Sequence, residues 1–174
     1  HVLEQVLQIP DICRVAVISP EQPQLPEQVL WIEDKVCELN ECVRLGCEAL
    51  IELGADRVLI LPSDLPMLSC FELTNLIQAG RGYDMVIAPD EAQLGTNALM
   101  LNSAKIVADF TPQFGVESFN KHLQRAEMTN TKTQVFVSSG LGFDLDDEAD
   151  WASYCAHSTA PKDKTELQKK YGTL

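Results

Sequence analysis

The run RVLILP at residues 57–62 is apolar at successive positions rather than at alternate ones. A strand with one wet face alternates, whereas a strand covered on both faces does not. The run therefore predicts a central strand of a parallel sheet, with helices above and below. SCFE at 69–72 follows, a capping box in which Ser69 caps a helix start and Glu72 reaches back. A strand, a tight turn and a capped helix in that order define a layered α/β domain.

The rest of the chain repeats the alternation. CRVAVIS (13–19), VLWIE (29–33), DMVIAP (84–89), TNALMLN (96–102) and TQVFVSS (133–139) read as strands. Helices are expected at 2–9, 41–53, 69–80, 104–109, 116–126 and 147–156, and LGFDLD (141–146) as a short extended run. In 41–53 the stripe is Val43, Cys47, Leu50 and Ile51; in 116–126 it is Val116, Phe119, Leu123 and Ala126. PEQPQLPEQ (20–28) is a Pro-rich loop too short to link domains. A single domain over 1–156 is expected, with a polar tail over 157–174.

A net charge of −13 argues against binding to nucleic acid or to an anionic membrane. It leaves room for anionic small molecules if a divalent cation lies between. With 45% hydrophobic and 22% charged residues the composition is that of a globular protein, and no apolar stretch is long enough to span a bilayer. Cys13, Cys37, Cys42, Cys47, Cys70 and Cys155 contain no CxxC pair. They are expected to be reduced, mostly buried thiols of a cytoplasmic protein.

Asp64 lies two residues beyond RVLILP, between Pro62 and Pro66. Ligands of open α/β sheets sit at the carboxyl ends of strands, and the two prolines stiffen the turn. Asp144 and Asp146 are two apart in an extended run, so both point to one face. Carboxylates on one face repel unless a cation joins them, and hard oxygen donors suit Mg²⁺ or Mn²⁺ bridged to phosphates. LGTNAL (94–99) offers Gly95 for close backbone approach, with the Thr96 hydroxyl and Asn97 amide beside it. FGVES (114–118) places Gly115 before a helix and Ser118 in its first turn, where anions bind.

Each feature also has a plain structural reading. Asp64 could form an Asx turn or a helix cap, and Asp146 or Asp147 could cap the helix that follows. The two loops could be ordinary turns. Asn40 would be the N-cap of the 41–53 helix. His122, one turn after Ser118, could face a ligand as a general base or sit as a satisfied histidine at the border of the stripe.

Four segments taken in order, LPSDLPMLS, VIAPDEAQLGTNALML, FGVESFNKHLQRA and GLGFDLDDEADW, resemble the CofC/FbiD family, over roughly residues 39 to 151. These are guanylyltransferases of coenzyme F-420 biosynthesis. They join GMP from GTP to a phosphorylated three-carbon acid (2-phospho-L-lactate, phosphoenolpyruvate or, in some members, 3-phosphoglycerate) and release pyrophosphate.

The resemblance implies a three-layer Rossmann-like nucleotidyltransferase fold with a mainly parallel, mixed central sheet. It implies that Asp64, Asp144 and Asp146 are catalytic and hold Mg²⁺, and that Thr96, Gly115 and Ser118 contact the phospho-acid. ELN at 38–40 is similar to the family's nucleotide-side GLN and puts Asn40 near GTP, with Glu38 replacing the glycine. The family opens with a strand and a basic segment that hold the triphosphate. This sequence begins after them, so a native front part is expected to precede His1. A homodimer and hand-off to the next transferase of the pathway are further expectations. The alternatives are a nucleotidyltransferase of the molybdenum-cofactor or sugar-nucleotide type, and a non-catalytic binding protein that has lost its GTP site.

Overall fold

The computed structural model describes residues 1–35 and 38–157. Val36, Cys37 and the expected tail beyond His157 lie outside the described residues. The elements follow in the order α1 (Val2–Val6), β1 (Val15–Ser19), β2 (Val29–Glu33), α2 (Leu39–Glu52), β3 (Val58–Ile60), α3 (Cys70–Ala79), β4 (Met85–Pro89), β5 (Thr96–Leu101), α4 (Ala104–Asp109), α5 (Ser118–Met128), β6 (Thr133–Val135), α6 (Ser139–Gly142) and α7 (Glu148–His157).

Four strands form one sheet in the order β3-β5-β4-β6. β4 and β6 are parallel, while β5 runs antiparallel to both β3 and β4. β3, β4 and β6 therefore share one direction and β5 is reversed. β1 and β2 make a separate parallel pair, joined by the Pro-rich loop 20–28. Among the described residues no helix is long and apolar enough to cross a membrane.

Alternation along β4 and β5 builds the three layers. Val86, Ala88, Ala98 and Met100 meet Leu73 and Leu76 of α3, Leu141 of α6, and Val6 of α1. The intervening Met85, Ile87, Leu99 and Leu101 meet Cys47 of α2, Val107 of α4, and Phe119 and Ala126 of α5. Every residue of β4 and β5 is buried.

Here the expectation for RVLILP needs correction. Among the described residues β3 pairs with β5 alone, and that partner is antiparallel. Its two faces are nonetheless both covered, because Leu59 packs with the α1/α3/α6 layer while Val58 and Ile60 pack with the α2/α4/α5 layer. Continuous hydrophobicity reported the two helical layers and not the direction of the neighbouring strand.

Other elements shift for local reasons. Glu38, not Asn40, is the N-cap of α2, accepting from the Asn40 and Glu41 amides at 3.2 and 2.8 Å. Val116 is 83% exposed and precedes α5 rather than joining its buried stripe. Residues 141–142 belong to α6, so the expected extended run shortens to irregular backbone before α7. Of the five described cysteines only Cys42 and Cys47 are buried, and Cys13 is exposed in the turn before β1. Gly46, mid-helix in α2, marks a close approach: a Cβ there would lie 2.5 Å from Ile18 of β1.

The paired centres of β4 and β5 are fully buried. Ile87→Ala should lower the unfolding free energy of the full-length protein by about 3 kcal/mol in urea titrations. Val116→Ala should change it by less than about 0.5 kcal/mol. Equal effects would contradict this placement of the core.

Candidate active site

The segment after β3 is anchored on both sides of Asp64. Leu65 and Leu68 are fully buried, and the Leu68 amide closes a turn onto the Leu65 carbonyl at 3.4 Å. Pro66 occupies the second position of that turn, where its fixed φ fits. The capping box forms as the sequence predicts: Ser69 Oγ accepts from the Glu72 amide at 3.3 Å, and the Glu72 carboxylate accepts from the Ser69 amide at 3.2 Å.

Glu72 has a second partner that the sequence did not signal. Its other oxygen accepts the Gly140 amide of α6 at 2.7 Å. A Cβ at Gly140 would collide with this carboxylate and with the Met67 carbonyl oxygen, so only glycine fits. The contact ties the start of α3 to the start of α6. Three residues beyond the end of α6, the Leu145 amide donates to the Asp64 carbonyl at 3.0 Å. The backbone thus holds residues 144–146 beside residue 64.

Asp64, Asp144 and Asp146 interact there. Burial, more than any other cause, raises the pKa of Asp64, and the Asp146 charge adds to the rise. Burial also raises Asp144, helped by Asp146 and by Asp64. The folded chain takes up these protons before the unfolded chain does, so the charged forms cost stability at neutral pH. Asp64 Oδ1 is buried without a hydrogen-bond partner, and Ser69, not Asp64, caps the helix that follows. Asp147, not Asp146, starts α7, accepting from the Ala149 and Asp150 amides at 2.7 and 3.0 Å. Asp146 stays exposed. Among the described residues no three His, Cys, Asp or Glu side chains converge as a ready metal cage. What the trio offers is an unmatched buried oxygen and mutual repulsion.

Thr96 and Ser118 meet in a second group. The Ser118 hydroxyl donates to Thr96 Oγ1 at 3.1 Å, and His122 Nδ1 lies 3.1 Å from the same oxygen. The Gln113 amide donates to His122 Nε2 at 3.1 Å. Phe110 and Phe114 flank the ring, which is 2% exposed. His122 is therefore satisfied and enclosed rather than facing a ligand. Gly115 adopts φ +107°, with its carbonyl accepting the Ser118 amide at 3.0 Å. Asn40 grips the neighbouring backbone with both ends of its amide: the Phe114 N–H donates to Oδ1 at 2.6 Å, and Nδ2 donates to the Phe114 carbonyl at 3.3 Å. Gly95 allows a close approach within the chain itself, since the Asp90 carboxylate accepts the Leu94 and Gly95 amides, both at 2.8 Å.

A bulge joins the two groups. The β4–β5 register runs Ala88↔Ala98 and then Pro89↔Thr96, which leaves Asn97 as the extra residue. Strict alternation from Leu99 would turn Asn97, not Thr96, toward α5. The bulge instead gives Thr96 to His122 and Ser118. Asn97 favours the charged form of Asp144, although its buried Nδ2 makes no hydrogen bond of normal geometry. The contact is therefore electrostatic proximity rather than a formed bond. A groove of about 460 Å³ between α2 and α4, lined in part by Arg44, Cys47 and Phe110, contains none of these acids; the chemistry-bearing side chains gather elsewhere.

Burial pushes His122 from an ordinary 6.5 down to about 4. Between those values the unfolded chain binds a proton that the folded chain refuses. Stability from this group is full above about pH 6.5 and is lost as pH falls toward 4, a change of about 3 kcal/mol. The stability advantage of wild type over His122→Asn should shrink by about that amount between pH 7 and pH 4 in denaturant titrations. A constant difference would contradict the buried neutral ring.

Comparison with known proteins bears on the family and the fold. The pattern of the family described as "Guanylyl transferase CofC like" matches residues 2–172. The phosphoenolpyruvate guanylyltransferase of Chloroflexus aggregans (strain MD-66 / DSM 9485) is 32% identical over 128 residues, covering 74% of this chain and 62% of the relative. The 2-phospho-L-lactate guanylyltransferase of Methanocaldococcus sp. (strain FS406-22) is 27% identical over 137 residues, covering 79% and 57%. The chain thus spans about three fifths of the length of these relatives. The solved structure of CMP:2-keto-3-deoxy-manno-octonic acid synthetase complexed with CTP superposes with TM-score 0.62 at 11% identity, covering 88% of this chain and 83% of that one. That likeness establishes a nucleotidyltransferase-type fold. The chain belongs to the CofC-like guanylyl transferase family.

Proposed function

We propose that the protein is a guanylyltransferase that joins GMP from GTP to a phosphorylated three-carbon acid, phosphoenolpyruvate or 2-phospho-L-lactate, and releases pyrophosphate in coenzyme F-420 biosynthesis. The observation that carries this reading is the junction at Thr96–Asn97. It sets a repelling acidic trio beside a group of hydroxyls at a helix start. The names of the relatives supply the substrate class.

The donor set fits a divalent cation, Mg²⁺ or Mn²⁺. Asp64 Oδ1 is buried and unmatched, and burial, with repulsion from the neighbouring acids, pushes Asp64 and Asp144 toward protonation. Asp64, Asp144 and Asp146 would hold it, and when bound it would neutralise charge between these carboxylates and the substrate phosphates. The chain's own residues orient the acid: the Thr96 hydroxyl and the backbone at Gly115 receive its anionic end, and the Ser118 hydroxyl supports Thr96 from the helix start. A phosphate oxygen of the acid attacks the α-phosphorus of GTP in line. That P–O bond forms as the bond to the β-phosphate oxygen breaks, and pyrophosphate leaves with the bonding electrons. The attacking oxygen is already ionised, so no side chain needs to remove a proton. Catalysis is positioning and charge neutralisation.

The full-length protein with GTP, Mg²⁺ and each acid in turn should release pyrophosphate. Asp64→Asn should reduce turnover about 100-fold or more while the circular dichroism spectrum stays unchanged. Wild-type turnover in that variant would remove Asp64 from the mechanism. Absence of turnover with every acid in the wild type would overturn the reading itself.

A further inference from the structure

The hydrogen-bond chain through Thr96 has a direction, and that direction is set from one end. The Gln113 backbone N–H can only donate, and it donates to His122 Nε2 at 3.1 Å. That nitrogen therefore carries no proton. Burial keeps the ring neutral, so its single proton sits on Nδ1 and is donated to Thr96 Oγ1, 3.1 Å away. The Ser118 hydroxyl donates to the same oxygen at 3.1 Å. A hydroxyl oxygen has two acceptor sites and one proton. Both acceptor sites of Thr96 are occupied, and the proton is left over.

We propose that His122 is a positioning residue for the transfer reaction: by fixing Thr96 as a hydrogen-bond donor, it makes this corner of the site select an anionic oxygen of the acid substrate. The inference rests on the guanylyltransferase reading for the identity of the acid, while the direction of the chain stands on the structure alone. The bulge at Asn97 serves the same end, since without it Thr96 would turn away from α5. Phe110 and Phe114 fix the ring plane, and the Gln113 amide fixes the tautomer. His122 touches no substrate and acts only through Thr96. A histidine that merely filled space between two phenylalanines would need neither tautomer.

Two measurements on the full-length protein test this. In the two-bond ¹⁵N–¹H imidazole spectrum of the wild type at pH 7, His122 should be the Nδ1–H tautomer; the Nε2–H tautomer would overturn the proposal. In kinetics with phosphoenolpyruvate and GTP, His122→Leu should raise KM for phosphoenolpyruvate roughly tenfold, the worth of one hydrogen bond to a charged acceptor. KM for GTP should stay within about twofold, and His122→Asn, which keeps a donor near the Nδ1 position, should recover part of the loss. In a Thr96→Val background His122→Leu should add nothing further, because the two residues act as one. Additive losses, or equal rises for both substrates, would assign His122 a structural role only. If the wild type uses neither phosphoenolpyruvate nor 2-phospho-L-lactate, the guanylyltransferase reading fails, and the tautomer spectrum still decides the direction of the chain.

Discussion

The carboxylate of Glu72 is the contact on which assembly of the acidic site depends. It receives the Ser69 amide at the start of α3 and the Gly140 amide at the start of α6. One acidic position lies just before the first of these helices and two lie just after the second. With the Leu145 to Asp64 backbone bond, this pin brings together side chains that repel one another. Left to themselves, Asp64, Asp144 and Asp146 would spread into water. The fold spends part of its packing energy on holding them close, an arrangement that is stabilising only when positive charge joins them. Glycine at 140 is the steric condition for the pin, since any side chain there would strike the Glu72 carboxylate.

Much of the fold could be read from the sequence, because burial periodicity is a strong signal where helices cover both faces of a sheet. β4 and β5 emerged in this way, and the start of α3 emerged from its capping box. What the periodicity could not convey was strand order and direction. RVLILP looks like a strand with parallel neighbours, yet among the described residues its partner β5 is antiparallel. Apolar content records what covers the faces of a strand, not the direction of the strand beside it. The Glu38 cap was hidden for a different reason: Asn40 is the better capping residue by type, but its amide is taken by Phe114.

The site was legible in its residue types and less so in its connections. The stiff turn at Asp64, the pair at 144 and 146, and the hydroxyls at 96 and 118 were all marked by composition and position. Resemblance to a known family implied that they belong to one site. The bulge at Asn97, the pin at Glu72 and the enclosure of His122 left no comparable trace. Each depends on contacts between segments far apart in sequence: 68 residues separate Glu72 from Gly140, and 26 separate Thr96 from His122. A single sequence carries no direct record of such pairs. His122 came nearest to being legible, since its spacing from Ser118 placed it on the correct side of α5.

The proposed chemistry requires that Asp64, Asp144 and Asp146 form one cation site. Its most direct test is Mn²⁺ binding to the full-length protein, followed by loss of the free-ion electron paramagnetic resonance signal. Wild type should bind Mn²⁺, and Asp64→Asn and Asp144→Asn should each bind it about tenfold more weakly or worse. Equal Mn²⁺ affinity in wild type and both variants would contradict the account.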